Sequence, residues 1–159
     1  MFNQEAYKGD LASNYQLVTK QLNALLTGEN DLIANLSNAS ALLNQFLHDV
    51  NWVGFYLLKD NELVLGPFQG LPACVRIPLG RGVCGTSAAE RKTLRIEDVH
   101  AFPGHIACDA ASRSEIVIPI IKGGNLVGVL DIDSPILNRF TEEDQTQLEA
   151  FVEELERHI

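Results

Sequence analysis

A hairpin signal late in the chain most constrains the fold. Gly123-Gly124-Asn125 separates two largely apolar runs, Glu115 to Ile121 and Leu126 to Asp133, which have the composition of β-strands. Short glycine-rich connections of this kind join antiparallel strands, because glycine adopts the backbone angles of a tight turn. The sequence therefore predicts an antiparallel pair here, whose apolar face other elements must cover.

The rest of the chain changes from a helical to a strand-like pattern. Apolar residues recur at helical spacing from Leu11 to Leu26 and from Asp31 to His48. Other predicted elements are strands at 52–58, 62–67, 76–79 and 93–96, a short helix at 83–90, a long loop at 100–112 and a helix that begins at Thr141. This order predicts an α+β fold, and because no repeat or linker interrupts it, we expect a single domain over residues 1–159.

The charge of the chain excludes some partners. The formal net charge is -9, so a phosphate backbone or an anionic membrane would repel the surface, and we expect neither as a partner. The N-terminus lacks the basic region and apolar stretch of a signal peptide, and no apolar run approaches the roughly 20 residues that span a bilayer. These features predict a cytoplasmic protein.

The chain has three cysteines, Cys74, Cys84 and Cys108. In a reducing cytosol, disulfides are usually transient and catalytic, although the cysteine count alone favours three small buried side chains. Their positions favour chemistry, because Cys74 follows a turn, Cys108 lies in the polar loop and Cys84 starts the predicted short helix. Amides at a helix start favour a thiolate or hold a ligand carboxylate.

Three acidic residues lie on the predicted hairpin. Asp131 and Asp133 are two residues apart on one strand, so they face the same side at about 7 Å. Two like charges on an otherwise apolar strand favour a cation between them, and the candidates are Lys, Arg, a metal or a ligand ammonium. The hairpin brings Glu115 to the same neighbourhood. The alternatives are a solvated strand end and, for Glu115, a charge that blocks edge pairing.

Two further patterns carry open alternatives. Trp52 and Tyr56 share one face of a strand, either as ordinary core, which composition favours, or as an aromatic wall for an apolar ligand group. His105 and Cys108 have metal-ligand spacing and, with Cys74 and Cys84, would complete a zinc site. That pattern is weak because Cys74 and Cys84 lack the usual close pairing.

Six short segments between Asn51 and Pro135 carry most of these residues. They are Asn51-Trp-Val-Gly-Phe-Tyr56, Gly66-Pro-Phe-Gln-Gly70, Pro78-Leu-Gly-Arg-Gly-Val-Cys-Gly85, Gly104-His-Ile-Ala-Cys-Asp109, Ser114-Glu-Ile-Val-Ile-Pro119 and Leu130-Asp-Ile-Asp-Ser-Pro135. In order and spacing they resemble the free methionine-(R)-sulfoxide reductase family of GAF-domain enzymes. The resemblance covers nearly the whole chain and implies a GAF-like fold, a six-stranded antiparallel sheet with helices packed against it.

The resemblance also implies roles for individual residues. These are catalytic Cys108, the resolving cysteines Cys84 and Cys74, the pocket carboxylates Glu115, Asp131 and Asp133, and the aromatic wall of Trp52 and Tyr56. The implied activity is reduction of the free amino acid's R-sulfoxide, with no cofactor of its own and with an external reductant of the thioredoxin type.

The chemistry suggests a hypothesis for each step. Cys108 attacks the sulfoxide sulfur, Glu115 supplies a proton, and the resulting sulfenic acid condenses with a second cysteine. The sequence leaves open whether this cysteine is Cys84 or Cys74, and the helix-start position favours Cys84. Asp131 and Asp133 would bind the substrate ammonium, which explains selection of the free amino acid.

Other details follow from this hypothesis. The amides of residues 80–85 are then available for the substrate carboxylate, and Trp52 packs against the S-methyl group. A nearby cation, Arg113 or His105, would offset the negative pocket that opposes a Cys108 thiolate. The alternative function is a non-catalytic GAF sensor that binds a small molecule without turnover, since GAF domains are also sensors. A homodimer is compatible with the resemblance.

Overall fold

Six strands form a single antiparallel sheet within residues 7–106 and 108–159, the parts of the chain that the computed structural model describes. The strands are β1 (Trp52–Lys59), β2 (Glu62–Gly70), β3 (Arg76–Pro78), β4 (Leu94–Ile96), β5 (Ser114–Lys122) and β6 (Asn125–Ser134). Their order across the sheet is β3-β2-β1-β6-β5-β4. The sheet is therefore built from two hairpins, β1-β2 and β5-β6, that meet where β1 pairs with β6.

Local signals set the ends of the helices. They are α1 (Leu11–Leu26), α2 (Leu32–Phe46), α3 (Gly82–Glu90) and α4 (Glu142–Glu156), with a short 3-10 helix at Val99–Ala101. Asp10 and Asp31 cap α1 and α2 through side-chain oxygens, and Thr141 forms a capping box with Asp144 at the start of α4. Over the described residues, no helix has the length and apolar character needed to cross a membrane.

The two faces of the sheet are covered differently. Helices α1, α2 and α4 pack on one face and form a large apolar core that includes Tyr15, Phe55, Ile116 and Phe151. The other face carries α3 and the loops, with a smaller buried cluster that includes Trp52, Tyr56, Val117 and Cys84. Because the main core lies on the helical face, the α3 face is left free to form a pocket.

The structure confirms the predicted fold class and the bounds of α1. Helix α2 is shorter than predicted, since Asp31 is its cap and the backbone is already extended at Leu47. Strand β2 continues past Pro67 to Gly70, because the register with β1 shifts between Gly54 and Tyr56 and leaves an irregularity opposite Pro67. A proline that lacks an amide proton is tolerated at such a bulge. The single domain over residues 1–159 stays a prediction.

The absence of a side chain at Gly54 shapes the α3 face. Gly54 lies on β1 between Trp52 and Tyr56, and a Cβ atom there would lie 2.3 Å from the Cβ of Phe68 and 2.7 Å from the Cη2 of Trp52. The Trp52 ring thus occupies the space above Gly54 and stacks on Phe68, with ring centroids 5.1 Å apart. Any larger residue has to displace this stack.

We expect Gly54→Ala to lower the free energy of unfolding by about 1–3 kcal/mol, the usual cost of overpacking a core. Urea unfolding followed by fluorescence of Trp52 measures this. Gly66→Ala on β2 is a matched control with a smaller expected loss, because its added Cβ would first meet a backbone oxygen, that of Phe55, at 3.1 Å. Equal losses in the two variants would show that the Trp52 stack does not require glycine at position 54.

Candidate active site

A cavity of about 40 Å³ lies on the α3 face of the sheet. Its walls come from β1, β5 and β6, the start of α3, and the loops before α3 and before β5. Its lining residues include Trp52, Tyr56, Arg81, Gly82, Val83, Cys84, His105, Cys108, Asp109, Ser112, Glu115, Asp131 and Asp133. Seven of the eight residues to which the resemblance assigns roles therefore line one cavity, and the eighth, Cys74, is bonded to Cys108.

Strand register brings the three carboxylates together. Glu115 on β5 lies directly opposite Asp133 on β6, and Asp133 in turn lies opposite Trp52 on β1. Asp131 is two residues along β6 on the same face. Glu115 and Asp131 are buried, at 6% and 5% exposed, so they are neither strand-edge charges nor a solvated strand end.

Burial sets the protonation of this cluster. Removal from water raises the pKa of Glu115, Asp131 and Asp133, and the neighbouring carboxylates raise the pKa of Glu115 and Asp133 further. The Oδ1 atom of Asp131 is buried and makes no hydrogen bond within the described residues. The cluster thus retains protons at its carboxyl groups and presents an unused acceptor to the cavity.

The three cysteines fall into two kinds. Cys74 and Cys108 form a disulfide with Cα atoms 5.5 Å apart, whereas Cys84 is a free, buried thiol whose Sγ lies 3.9 Å from Oε2 of Glu115. Burial and then the nearby Asp131 and Glu115 raise the pKa of Cys84. These effects outweigh the helix-start amides, so the structure differs from the expectation that favoured Cys84 as the partner of Cys108.

The aromatic wall is also tied to the disulfide. Trp52 and Tyr56 stack with ring centroids 5.8 Å apart. The Tyr56 hydroxyl donates to the backbone oxygen of Cys74 at 2.9 Å, and Nε1 of Trp52 donates to the backbone oxygen of Leu71 at 3.1 Å. The two rings therefore line the cavity and at the same time hold the segment that carries Cys74.

Asn51 was not predicted as a site residue, although it begins the first family-like segment. Its side-chain amide donates to Asp109 at 2.9 Å and to Ser112 at 3.1 Å. Asp109 directly follows Cys108, so these bonds hold the loop that carries Cys108 against the start of β1. The only local signals were the positions of Asn51 and Asp109 beside Trp52 and Cys108.

The cations of the site differ from the expectation. Both arginines are exposed, but Arg113 is not one of the lining residues, whereas Arg81 at the start of α3 lines the cavity. His105 also lines it, but burial and the neighbouring His100 lower the pKa of His105. A neutral His105 gives the pocket little charge near neutral pH, so Arg81 is the cation at its wall.

The disulfide bears on the zinc alternative. It engages the sulfurs of Cys74 and Cys108, two of the four ligands which that site would need. Among the described residues, the donors close enough to share an ion are instead Cys84, Glu115 and Asp131, whose ligand atoms lie within 4.8 Å of one another.

The fold and the cavity define a GAF-domain protein, and residues 31–159 match the GAF domain family. The chain is 57% identical to the free methionine-R-sulfoxide reductase of Escherichia coli over 143 aligned residues. The aligned region covers 90% of this chain and 87% of that protein. It therefore belongs to the free methionine-R-sulfoxide reductase family, as the six sequence segments predicted.

Solved structures agree with this assignment. The reduced form of fRMsr from Staphylococcus aureus superposes with a TM-score of 0.89 at 59% identity, over 91% of this chain and 94% of that one. The free methionine-R-sulfoxide reductase of Neisseria meningitidis, in complex with its substrate, superposes with a TM-score of 0.94 at 44% identity, over 99% of this chain and 95% of that one.

The cysteine arrangement predicts the outcome of thiol labelling. Protein kept free of reductant should carry a Cys74–Cys108 cross-link in a non-reducing peptide map, and unfolding it without reductant should expose one thiol, that of Cys84. Cys84→Ser should expose none and keep the cross-link. In native reduced protein, maleimide should label Cys84 last because it is buried. A cross-link between Cys84 and Cys108 would contradict this arrangement.

Proposed function

We propose that this protein reduces the R-sulfoxide of free methionine, with Cys108 as the nucleophile and Cys74 as the resolving cysteine. Membership of the reductase family supports the overall reaction. The observation that carries the mechanism is the disulfide, which joins a cysteine of the cavity wall to a neighbouring segment over a buried acidic cluster. A sensor that only bound its ligand would not need this pair.

The acidic cluster is suited to the substrate ammonium. Asp131 offers a buried oxygen that has no hydrogen-bond partner in the described part of the chain, and Asp133 lies on the same face of β6. An ammonium between them would favour the ionised carboxylates and offset the burial that otherwise raises their pKa. A methionine within a polypeptide has no ammonium beside its side chain and would leave these acceptors unpaired, a large penalty in a buried site.

The start of α3 is suited to the substrate carboxylate. The amides of Gly80 and Gly85 already donate to backbone oxygens of this turn. Fewer amides of residues 80–85 are therefore available to the substrate carboxylate than the sequence predicted. Gly82 and Val83 remain at the first helical positions, where amides have no partner within the helix. Both line the cavity beside Arg81, so amides and a cation converge on one wall.

The sulfoxide then lies between the aromatic wall and Cys108. The Cys108 thiolate attacks the sulfoxide sulfur while Glu115 donates a proton to the oxygen. The oxygen passes to Cys108 as a sulfenic acid and methionine leaves as the thioether. Trp52 packs against the S-methyl group, which gives the pocket its preference for one sulfur configuration.

Cys74 completes the half-reaction. Its thiol attacks the sulfur of the Cys108 sulfenic acid, water leaves, and the observed disulfide forms. Cys84 keeps its proton beside Glu115 and takes no part in this exchange. An external dithiol of the thioredoxin type then restores both thiols, and the protein needs no cofactor of its own for these steps.

The test is turnover with dithiothreitol on separated R and S isomers of methionine sulfoxide and on the N-acetylated R isomer. We expect turnover of the free R isomer alone, because the S isomer reverses the S-methyl position and acetylation removes the ammonium. Cys108→Ser should abolish turnover. Cys84→Ser should retain it, which makes it the matched cysteine control.

Two results would contradict this proposal. Equal rates on the free and N-acetylated R isomers would exclude the ammonium site. Absence of turnover of either free isomer by the wild-type protein, together with saturable binding of methionine sulfoxide, would instead favour the sensor.

The raised pKa of Glu115 predicts that kcat/KM depends on pH. Its pKa is raised by burial and by the two aspartates, and a general acid acts in its protonated form. The value of kcat/KM for methionine sulfoxide should therefore fall as pH rises through this pKa. In Glu115→Gln the rate should drop about 10²–10⁴-fold and this alkaline decline should disappear.

A matched control is Glu149→Gln, on α4 across the sheet, where Glu149 accepts a hydrogen bond from Thr93. It should keep both the rate and the alkaline decline. An unchanged alkaline decline in Glu115→Gln would assign the proton to another group.

A further inference from the structure

The surface around Cys74 carries an apolar patch. Leu71 is 64% exposed and Val75 is 60% exposed, the two highest values among the large apolar side chains of the described residues. Pro72, between them in sequence, is exposed as well. We call Leu71, Pro72 and Val75 the Cys74 patch. The three residues lie within a segment of five, and exposed apolar side chains that cluster mark interaction surfaces more often than isolated ones do.

The exposure of this patch is not the result of a loose backbone. Three carbonyl oxygens of the segment accept hydrogen bonds from the sheet: that of Leu71 from Trp52 Nε1 at 3.1 Å, that of Cys74 from the Tyr56 hydroxyl at 2.9 Å, and that of Val75 from the Leu65 amide at 2.8 Å. The disulfide adds a covalent tie. The backbone is thus held in place with its apolar side chains in solvent, an arrangement that reduces the entropy lost on docking.

The two sulfurs of the disulfide have different surroundings. Both cysteines are partly exposed, but Cys108 lines the substrate cavity, whereas Cys74 is not one of the lining residues and is flanked in sequence by the residues of the Cys74 patch. An electron donor can therefore reach Cys74 without entering the cavity. Cys108 is the sulfur that must return to the cavity as a thiolate.

On the basis of the proposed function, we infer that the Cys74 patch is the docking surface for the reductant, a dithiol protein with apolar side chains around its reactive cysteine. A small thiol needs no such surface. A protein reductant must dock before its reactive sulfur can come within bonding distance of Cys74, so it requires a surface complementary to its own. In this inference the reductant thiolate attacks the sulfur of Cys74.

Thiol–disulfide exchange with the reductant proceeds in two steps. A thiolate of the reductant attacks Cys74, the Cys74–Cys108 bond breaks, and its electron pair leaves on Cys108 as a thiolate. The second thiol of the reductant then attacks its own partner sulfur in the mixed disulfide and releases Cys74. The reductant dithiol becomes a disulfide, two electrons pass to this protein, and the two thiol protons return to its cysteines or to water.

The test compares two reductants on the double variant Leu71→Glu/Val75→Glu. With thioredoxin, its reductase and NADPH, we expect the KM for thioredoxin to rise about tenfold or more, as loss of an interface centre does. With dithiothreitol, turnover of the sulfoxide should match that of the wild type, which also shows that the variant is folded. Ile33→Glu, which replaces a 53% exposed side chain on α2, is the matched control and should change neither value.

A second readout separates this inference from the proposed function. Single-turnover reduction of the Cys74–Cys108 disulfide by thioredoxin is followed without any sulfoxide present, and it should slow in the double variant by the same factor. Failure of the wild type to reduce the sulfoxide with dithiothreitol would overturn the proposed function and leave this readout intact.

Other results would overturn the inference itself. These are an unchanged KM for thioredoxin in the double variant, or an equal effect of Ile33→Glu. A change of oligomeric state in the double variant with unchanged thioredoxin kinetics would identify the patch as a contact between copies of this chain. The milder variant Leu71→Ser/Val75→Ser repeats the comparison should the glutamate variant fail to fold.

Discussion

The cross-strand pairing of Glu115 with Asp133 is the interaction on which the site depends. Like charges directly opposite on a sheet are unfavourable, and burial makes them more so. The structure accommodates them by raising the pKa of these carboxyls, and the large core on the opposite face of the sheet supplies the compensating stability. The pocket is thus a locally unfavourable region of the sheet, and a bound ammonium would reduce the repulsion between its carboxylates.

Those parts of the structure that depend on neighbours in sequence could be predicted. The turn at Gly123-Gly124 fixes the β5–β6 hairpin, and the hairpin in turn fixes the meeting of Glu115 with the two aspartates. Helix α1 follows from its apolar spacing and its Asp10 cap. For the same reason Trp52 and Tyr56 were correctly placed together, since alternation along one strand decides their side.

What depends on contacts between distant loops could not be predicted. The partner of Cys108 is set by how two loops fold over the sheet, and nothing in the local sequence of Cys74 records it. The amides next to Cys84 in sequence favour a reactive thiolate, whereas its burial among carboxylates, which has the opposite effect, arises from the distant strands β5 and β6. Arg81 was missed as the cation of the site because its position depends on the same packing.

The Cys74–Cys108 bond also changes the covalent connectivity of the chain. It closes a segment with a sequence separation of 34 residues, and in the chain-entropy view such a cross-link stabilises the folded state by about 4 kcal/mol. In the proposed cycle the protein would form and break this bond once per turnover, and its chain would alternate between a cross-linked and an open form. The stability that the cross-link supplies would therefore be lost on reduction and regained each time the disulfide forms again.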